Sequence, residues 1–497
     1  MTENPTTAAP LELSQLDLLF NPRGIVIAGA STHPGKFGFV ALHNVLAGQF
    51  GGAVFATNPE RPTILGIQTL ASVTEVPHGA ADLIFICTPP HTCADILRAA
   101  ADRGIGAAFV ASGGFGEAGP QGVELQKELV ELAESLGMVL AGPNGQGIIS
   151  TPAKLAAQIV APIPPAGHIA VASQSGNLVS AFLNHASHSG VGISRAISAG
   201  NAAMAQVTDY LRWFAQDQHT KAMAAYVEGV GDGRRFAAAI HQAAQNKPVV
   251  LVKGGTTTRG AQAAASHTGA LATDDRVFDG MARQCGAVRC HTIEEAFDAV
   301  AAFATCPLPA GPRTVVLSSA GGWGVISADA VSKSKLELIH LPADLKAAID
   351  KLVPPRWSRH NPIDLAGGEG RDTIVEVIGL LADHPEVDAV LYLGMGIQSN
   401  TAAHLRSSPF YGEAELDRIC QYHERQDSRF AAAVTEASNR VGKPILAATE
   451  LGVTQPQNPG PATLAEQGGY CFASADRAIR ALNHLWWYAD WRKRHLS

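Results

Sequence analysis

The chain of 497 residues carries 37 Lys and Arg against 44 Asp and Glu, a formal net charge of -7, and 46% of it is hydrophobic. With no basic run or basic face in that balance, general nucleic-acid binding is excluded. With no apolar run of about 18 residues, a membrane-spanning helix is excluded too. The length predicts about three domains of roughly 150 residues, each around its own core.

The chain opens on a polar stretch, Met1 to Pro10, without the charged and then apolar order of a secretion signal. GIVIAGAS (Gly24 to Ser31) reads as a buried strand ending in small residues, followed by a helix around Phe39 to Ala47 and the strand GAVFATNP (Gly52 to Pro59). LIFICTPP (Leu83 to Pro90) is the next strand; a helix at Cys93 to Asp102 leads into AAFVAS (Ala107 to Ser112), and a helix at Leu125 to Leu136 into MVLAGPN (Met138 to Asn144). Continuous apolar strands separated by helices imply a parallel sheet covered on both faces, a doubly wound, Rossmann-like α/β domain over 1–160. The Pro-rich APIPPAGH (Ala161 to His168) marks a boundary, after which IAVASQSG (Ile169 to Gly176), AMAAYVEGV (Ala222 to Val230) and PVVLVKGG (Pro248 to Gly255) continue the pattern over 161–308. CPLPAGPR (Cys306 to Arg313) opens a third unit, 309–497, with TVVLSSAGGWG (Thr314 to Gly324), AVLYLGMG (Ala389 to Gly396) and PILAATELG (Pro444 to Gly452). NKPVVLV (Asn246 to Val252) and GKPILAA (Gly442 to Ala448) echo each other, which predicts one flavodoxin-like plan for the second and third domains. The closing LNHLWWYADWRKRHL (Leu482 to Leu496) carries a stripe of Leu482, Leu485, Trp486 and Tyr488 that reads as helix packing. The seven cysteines, Cys87, Cys93, Cys285, Cys290, Cys306, Cys420 and Cys471, form no CxxC pair and read as reduced core residues of a cytoplasmic protein, neither a disulfide framework nor a metal site.

Four segments can carry chemistry. GASTHPGKFG (Gly29 to Gly38) joins the first strand to a helix; its glycines allow close backbone approach, the helix start favours phosphate, and Lys36 adds a positive charge. It departs from GxGxxG, and the second strand ends in Thr57, Asn58 and Pro59 without the carboxylate that binds the ribose of NAD. SQSGN (Ser173 to Asn177) also follows a strand and begins a helix, which suits a serine N-cap or an anion cradle. His267, in SHTGAL, lies among Ala, Gly, Ser and Thr that leave its imidazole uncrowded for in-line phosphoryl transfer. Glu228, ending the strand of YVEGVG, is either a solvent-facing strand end or the carboxylate that orients such an imidazole above the sheet.

In the order GAS…PGKFG, TPP, GPN, SQSG, VEG, SHTGAL and NPIDL, the chain resembles the NDP-forming acyl-CoA synthetases, the group of succinyl-CoA synthetase and ADP-forming acetyl-CoA synthetase, from about residue 15 to residue 490. That resemblance implies a Rossmann-like CoA-binding domain followed by two flavodoxin-like domains. It implies His267 as the phosphoryl carrier, Glu228 as its orienting partner, and Ser173, Gln174, Ser175 and Gly176 as the phosphate site. Gly29, Ser31, Lys36, Phe37, Gly38, Pro59, Thr88, Pro89, Ser112 and Gly113 would hold CoA, with Asn144 and Gly145 beside the acyl group. The family phrase GPNC reads GPNGQG here, so Gly145 replaces the cysteine and an unusual acyl preference is expected. No ATP-grasp pair follows, so the ADP or GDP with its Mg2+ is expected on a separate ATP-grasp β subunit in a hetero-oligomer. Two rivals are a non-catalytic CoA-binding regulatory protein of the same fold, which would not need His267, Glu228 and SQSG together, and an NAD-dependent dehydrogenase, which the missing acid after the second strand opposes.

Overall fold

The computed structural model describes residues 11–160, 162–262, 274–319, 321–365, 372–412, 414–449 and 457–496. They form two compact units, one running to Ser187 and resuming over Gly192–Ile293, the other made of His188–Val191 and Glu294 onward. Among the described residues no helix is long and apolar enough to cross a membrane.

The first unit holds two sheets. Strands β1 (Gly24–Ala28), β2 (Ala53–Thr57), β3 (Leu83–Ile86), β4 (Ala107–Val110) and β5 (Val139–Ala141) pair in parallel in the order β2-β1-β3-β4-β5. Every residue of β1, β3, β4 and β5 is buried, as apolar runs covered on both faces require. Helices α1 (Leu13–Phe20), α2 (Phe37–Ala47), α3 (Cys93–Asp102) and α4 (Pro120–Ser135) alternate with them. Gly119, at φ +97°, ends the preceding turn, and Pro120 at the first helical position starts α4 where a missing N–H costs nothing. The chain winds outward in both directions from β1 and β3, so the crevice between their carboxyl ends is the topological switch point where such sheets take ligands.

The second sheet repeats the plan. Strands β8 (Ala166–Ser173), β9 (Ile193–Ser198), β10 (Ala222–Val227), β11 (Val249–Lys253) and β12 (Val288–Cys290) are parallel, and the sheet order is β12-β11-β10-β8-β9-β6-β7. Its last two members, β6 (Gly147–Ser150) and β7 (Leu155–Gln158), form an antiparallel hairpin whose Ile148 and Ile149 pair with Ile197 and Ala196. Sheet membership therefore changes ahead of the Pro-rich connection. Asn44 of α2 reaches back to this hairpin, donating from Nδ2 to the carbonyls of Gln158 (2.9 Å) and Val160 (3.1 Å). Helices α5 (Gly176–Ser189), α6 (Val207–Gln216), α7 (Gly233–Asn246) and α8 (Asp275–Cys285) accompany the strands.

In the second unit β13 (Arg313–Ser318), β14 (Glu337–Leu338), β15 (Ile363–Asp364), β16 (Ala389–Leu393), β17 (Ile445–Ala448) and β18 (Cys471–Phe472) give the order β14-β13-β16-β17-β18, with β15 on the end of β13. The echoing phrases of the sequence fall on β11 and β17, each next to the last strand in the parallel orders β9-β8-β10-β11-β12 and β14-β13-β16-β17-β18, so the repeat marks equivalent places in two like folds. The helix Ala475–Leu496 buries Leu482, Leu485, Tyr488 and Trp491, whereas Trp486 of the expected stripe is only half-buried and stacks under Lys493 at 5.4 Å. Near its start Arg477 forms a two-pronged ion pair with the buried Asp298 at 2.6 and 2.8 Å.

Candidate functional site

At the first switch point the turn after β1 is bare backbone. Gly29 has φ +83°, and a Cβ there would lie 2.6 Å from Thr88 Cγ2; α2 comes so close that a Cβ on Gly38 would sit 2.0 Å from the carbonyl oxygen of Gly29. The turn folds on itself as His33 N–H donates to Ser31 Oγ (3.1 Å) and Gly35 N–H to His33 Nδ1 (3.0 Å). Lys36 and Phe37, at the start of α2, are exposed, where the helix's first N–H groups favour an anion. Across the crevice Ser112 Oγ donates to the carbonyl of Thr88 (2.5 Å) and Thr92 Oγ1 to Thr88 Oγ1 (2.7 Å), with Pro89 exposed beside them. Thr88, Pro89, Ser112 and Gly113 thus follow β3 and β4 on the same carboxyl edge as Gly29, and Pro59 follows β2 there. Asn58 keeps the end of β2 neutral and ties it down, donating from Nδ2 to the carbonyl of Ala30 (2.8 Å) and accepting from Glu60 N–H (2.9 Å). Burial pushes the Cys87 thiol up to about 12 and the Cys93 thiol to about 11, so both stay protonated near neutrality and neither competes as a nucleophile.

Asn144 and Gly145 lie where the two sheets of this unit meet. Asn144, at φ +60° after a cis Gly142–Pro143 bond, donates its N–H to the carbonyl of Ser112 (3.0 Å) and Nδ2 to Asn201 Oδ1 (3.4 Å). Asn201 in turn donates to Glu117 Oε2 (2.6 Å) and Gln126 Oε1 (2.9 Å), while Glu117 Oε1 accepts from the N–H of Gly114 (2.5 Å). Partial burial works against ionisation of Glu117, but these hydrogen bonds win and hold its carboxyl below the usual range. The turn after β4 is thereby tied to the turn after β9. Gly145 is buried, and a Cβ on it would lie 2.5 Å from Phe109 Cζ and 2.6 Å from the carbonyl oxygen of Ser198. The space a cysteine side chain needs is filled by the ring of Phe109, which stacks on Phe85 at 5.0 Å.

The second switch point separates β8 from β10. Ser173, fully buried, accepts from Ser175 N–H (3.0 Å) and donates to the carbonyl of Ser175 (2.7 Å), closing the turn that starts α5 at Gly176. Gln174 points elsewhere. Its Oε1 accepts from the N–H of Glu228 (2.6 Å) and of Gly229 (3.3 Å), and its Nε2 donates to the carbonyl of Gly229 (3.1 Å), so it locks the turn that carries Glu228. Glu228 is 8% exposed and accepts from Tyr226 Oη at 3.2 Å; burial, with the neighbouring carboxylate, raises the Tyr226 phenol and keeps it a donor. Sequence reasoning missed two residues here. Gly254, after β11, leaves room for this pair, since a Cβ would lie 2.3 Å from Tyr226 Oη and 3.3 Å from Glu228 Cγ. Lys253, beside Val227 in the register, is buried, its ammonium pKa lowered by desolvation while Nζ donates to the carbonyl of Gly254 (3.0 Å). The strand end VKGG was the available signal for both. His267 lies outside the described residues.

Three family models match along the chain: a CoA binding domain over residues 23–151, a succinyl-CoA ligase like flavodoxin domain over 166–303, and a ligase-CoA domain over 314–400. The α subunit of ADP-forming acetate–CoA ligase I from Pyrococcus furiosus is 32% identical over 97% of this chain and 99% of its own length. The chain belongs to the ADP-forming acyl-CoA ligases. Among solved structures of that family, the dinucleotide-forming acetyl-coenzyme A synthetase 1 of Ca. Korarchaeum cryptofilum, in complex with phosphate and ADP, superposes with a TM-score of 0.83 at 31% identity, covering 97% of this chain and 98% of that one. The ADP-forming 4-hydroxybutyrate–CoA ligase of Nitrosopumilus maritimus is 30% identical over 96% of this chain, which spans 64% of that longer relative.

Proposed function

We propose that this chain is the α subunit of an ADP-forming acyl-CoA ligase, interconverting acyl-CoA, ADP and phosphate with carboxylate, CoA and ATP, the nucleotide and its Mg2+ being held by an ATP-grasp β subunit. The observation that carries this reading is the meeting of the Ser173–Gly176 turn and the buried Glu228 at one switch point, on a chain related end to end to a ligase α subunit. In the thioester-consuming direction, a phosphate oxygen attacks the acyl carbonyl, the C–S bond breaks, and CoA leaves as its thiol, giving an acyl phosphate. An imidazole nitrogen of His267 attacks phosphorus, the P–O bond to the acyl group breaks, and the carboxylate departs. ADP takes the phosphoryl group from His267 and leaves the imidazole neutral.

The chain's own residues supply position and charge complementarity. Gly29, Ser31, Lys36, Phe37 and Gly38 hold CoA phosphates against the start of α2, with Pro59, Thr88, Pro89, Ser112 and Gly113 along the groove and Asn144 and Gly145 toward the acyl end. The amide-lined start of α5 at Ser175 and Gly176, shaped by Ser173, receives the phosphoryl oxygens. Glu228 orients His267 by accepting its other ring N–H, and Gln174 acts through Glu228. The test is His267→Asn, reconstituted with the ATP-grasp subunit and labelled ATP: acid-labile, base-stable label on the chain and thioester synthesis should both vanish. Undiminished turnover overturns the reading.

A further inference from the structure

Between the turn that follows β5 and the turn that starts α5 lies one side chain with no part yet in the chemistry. Gln146 follows Gly145 and stands just ahead of β6; its carbonyl accepts from Ile159 N–H at 2.9 Å, so the hairpin fixes its main chain. The side chain then crosses the head of α5. A Cβ on Gly176 would lie 2.2 Å from Gln146 Cδ and 2.7 Å from Nε2, so the glycine that opens the helix is what gives this amide room. Nε2 donates to Oδ1 of Asn177, the second residue of α5, at 3.2 Å, which sets the orientation of the amide. Its other end is unanswered: Oε1 is buried, and among the described residues nothing donates to it. The end of β9 adds a second such atom. Ser198 lies in register with Ser173, and its carbonyl oxygen is 2.6 Å from where a Cβ on Gly145 would stand. The residue is 1% exposed, and its Oγ has no partner among the described residues.

A buried acceptor without a donor is costly to keep, and native folds keep few of them. The chemistry of the two atoms selects the group that answers them. An amide oxygen only accepts, whereas a serine hydroxyl does either. A carbonyl, carboxylate or phosphate oxygen on a ligand would leave Gln146 Oε1 as it is. An ammonium would donate, but it would meet the positive end of α5. Glu117, in the adjoining turn, could not pair with it either, its oxygens being engaged by Asn201 and Gly114. A neutral hydroxyl donates to the amide, suits the serine, and brings no charge. In the proposed reaction the acyl carbon stands at the start of α5, so groups on the acyl chain are the ones beside Gln146. The first N–H of the CoA arm is set back from that carbon by the sulfur and two methylenes.

Resting on the ligase reading, we propose that Gln146 sets the acyl specificity, its Oε1 accepting from a hydroxyl on the acyl chain, so that the substrate is a hydroxy acid and its CoA thioester. The test uses the full chain with the ATP-grasp subunit, ATP and CoA, and acids in pairs that differ by one hydroxyl: acetate and glycolate, propionate and lactate, propionate and 3-hydroxypropionate. In at least one pair the hydroxy acid should lead in kcat/KM by at least about tenfold, because a site built to pair a substrate hydroxyl is left with a stranded polar group when the hydroxyl is missing. Gln146→Leu fills the same space without the acceptor. It should bring that ratio close to one and melt no lower than the parent, since an unanswered buried oxygen is gone. Gln146→Glu keeps an acceptor and should keep the preference. Equal turnover of both acids in every pair, or an unchanged ratio in Gln146→Leu, would overturn the assignment. So would a higher KM for CoA in Gln146→Leu with the ratio unchanged, which would give the amide to the CoA arm. All of these are ratios among acids that are turned over; no thioester from any acid would instead sink the ligase reading, and this inference with it.

Discussion

Gln174→Ala removes no group that would touch phosphate, yet it should cripple phosphoryl transfer. The side chain accepts from two N–H groups, at 2.6 Å from Glu228 and 3.3 Å from Gly229, and donates to one carbonyl at 3.1 Å. Truncation strands all three. A buried polar group left without its partner costs about 1–3 kcal/mol. Gly229 is only half-buried and water can reach part of the turn, so the three together should cost about 2–3 kcal/mol in the energy that holds Glu228 in place. At about 1.4 kcal/mol per tenfold, phosphorylation of His267 should slow by roughly 30- to 100-fold if the imidazole depends on that carboxylate. The assay is the rate of acid-labile, base-stable label incorporation from ATP through the ATP-grasp subunit, with KM for CoA measured in parallel. CoA affinity should stay within about twofold, because the match to the CoA binding domain, residues 23–151, takes in the other sheet of the unit. Gln174→Glu keeps the acceptors and loses the donor, so it should fall between parent and alanine variant. Labelling of Gln174→Ala at the parental rate would refute the coupling through Glu228.

Gly38→Ala forces a methyl carbon to 2.0 Å from the Gly29 carbonyl oxygen, a backbone atom that cannot swing away; α2 must shift, and CoA affinity by calorimetry should fall at least tenfold while labelling from ATP persists. Gly145→Ala should destabilise by about 1–3 kcal/mol through overpacking. Phe109→Leu should recover only part of that, since the Ser198 carbonyl at 2.6 Å remains; strict additivity in denaturant melts of the four proteins would refute the contact. Burial raises the fully buried Asp427 carboxyl from 3.8 to about 6, against the N–H of Ser399 that favours its charge. The native state then holds this proton more tightly than the unfolded chain, so the contribution is fully present below about pH 4 and is lost as pH rises through about 6, on the order of 3 kcal/mol. Asp427→Asn should flatten that slope relative to the parent, and parallel curves in urea melts from pH 4 to 7 would refute it.

Three apolar-strand alternations carried the fold class because a covered parallel strand needs an unbroken apolar run; IAVAS (Ile169 to Ser173) is buried at every position. The strand-to-helix turns Gly29–Gly38 and Ser173–Gly176 were legible for a like reason: glycines and serines between strand and helix reflect a backbone constraint that is local in sequence. What the sequence hid was long-range. Gln174 reads as one more polar residue of a phosphate turn, and nothing near it announces that its amide is spent on a turn 54 residues later. The Gly145 substitution was visible, but its partner Phe109 stands a whole helix away and only the packed core connects them. The β6–β7 hairpin escaped because two four-residue strands show too little alternation to register, and the Pro-rich connection drew the eye as the natural border.

That hairpin decides where the protein can be divided. A gene cut at the Pro-rich connection would leave the hairpin with the CoA half and strip β9 of its neighbour, baring a row of unpaired main-chain groups along Ile193–Ser198 that invites self-association. A cut just before Gly147 would instead deliver the second sheet complete, while taking from α2 both its packing against Lys154–Gln158 and the carbonyls that Asn44 grips. Anyone transplanting the first sheet onto another scaffold should leave the hairpin with the second sheet.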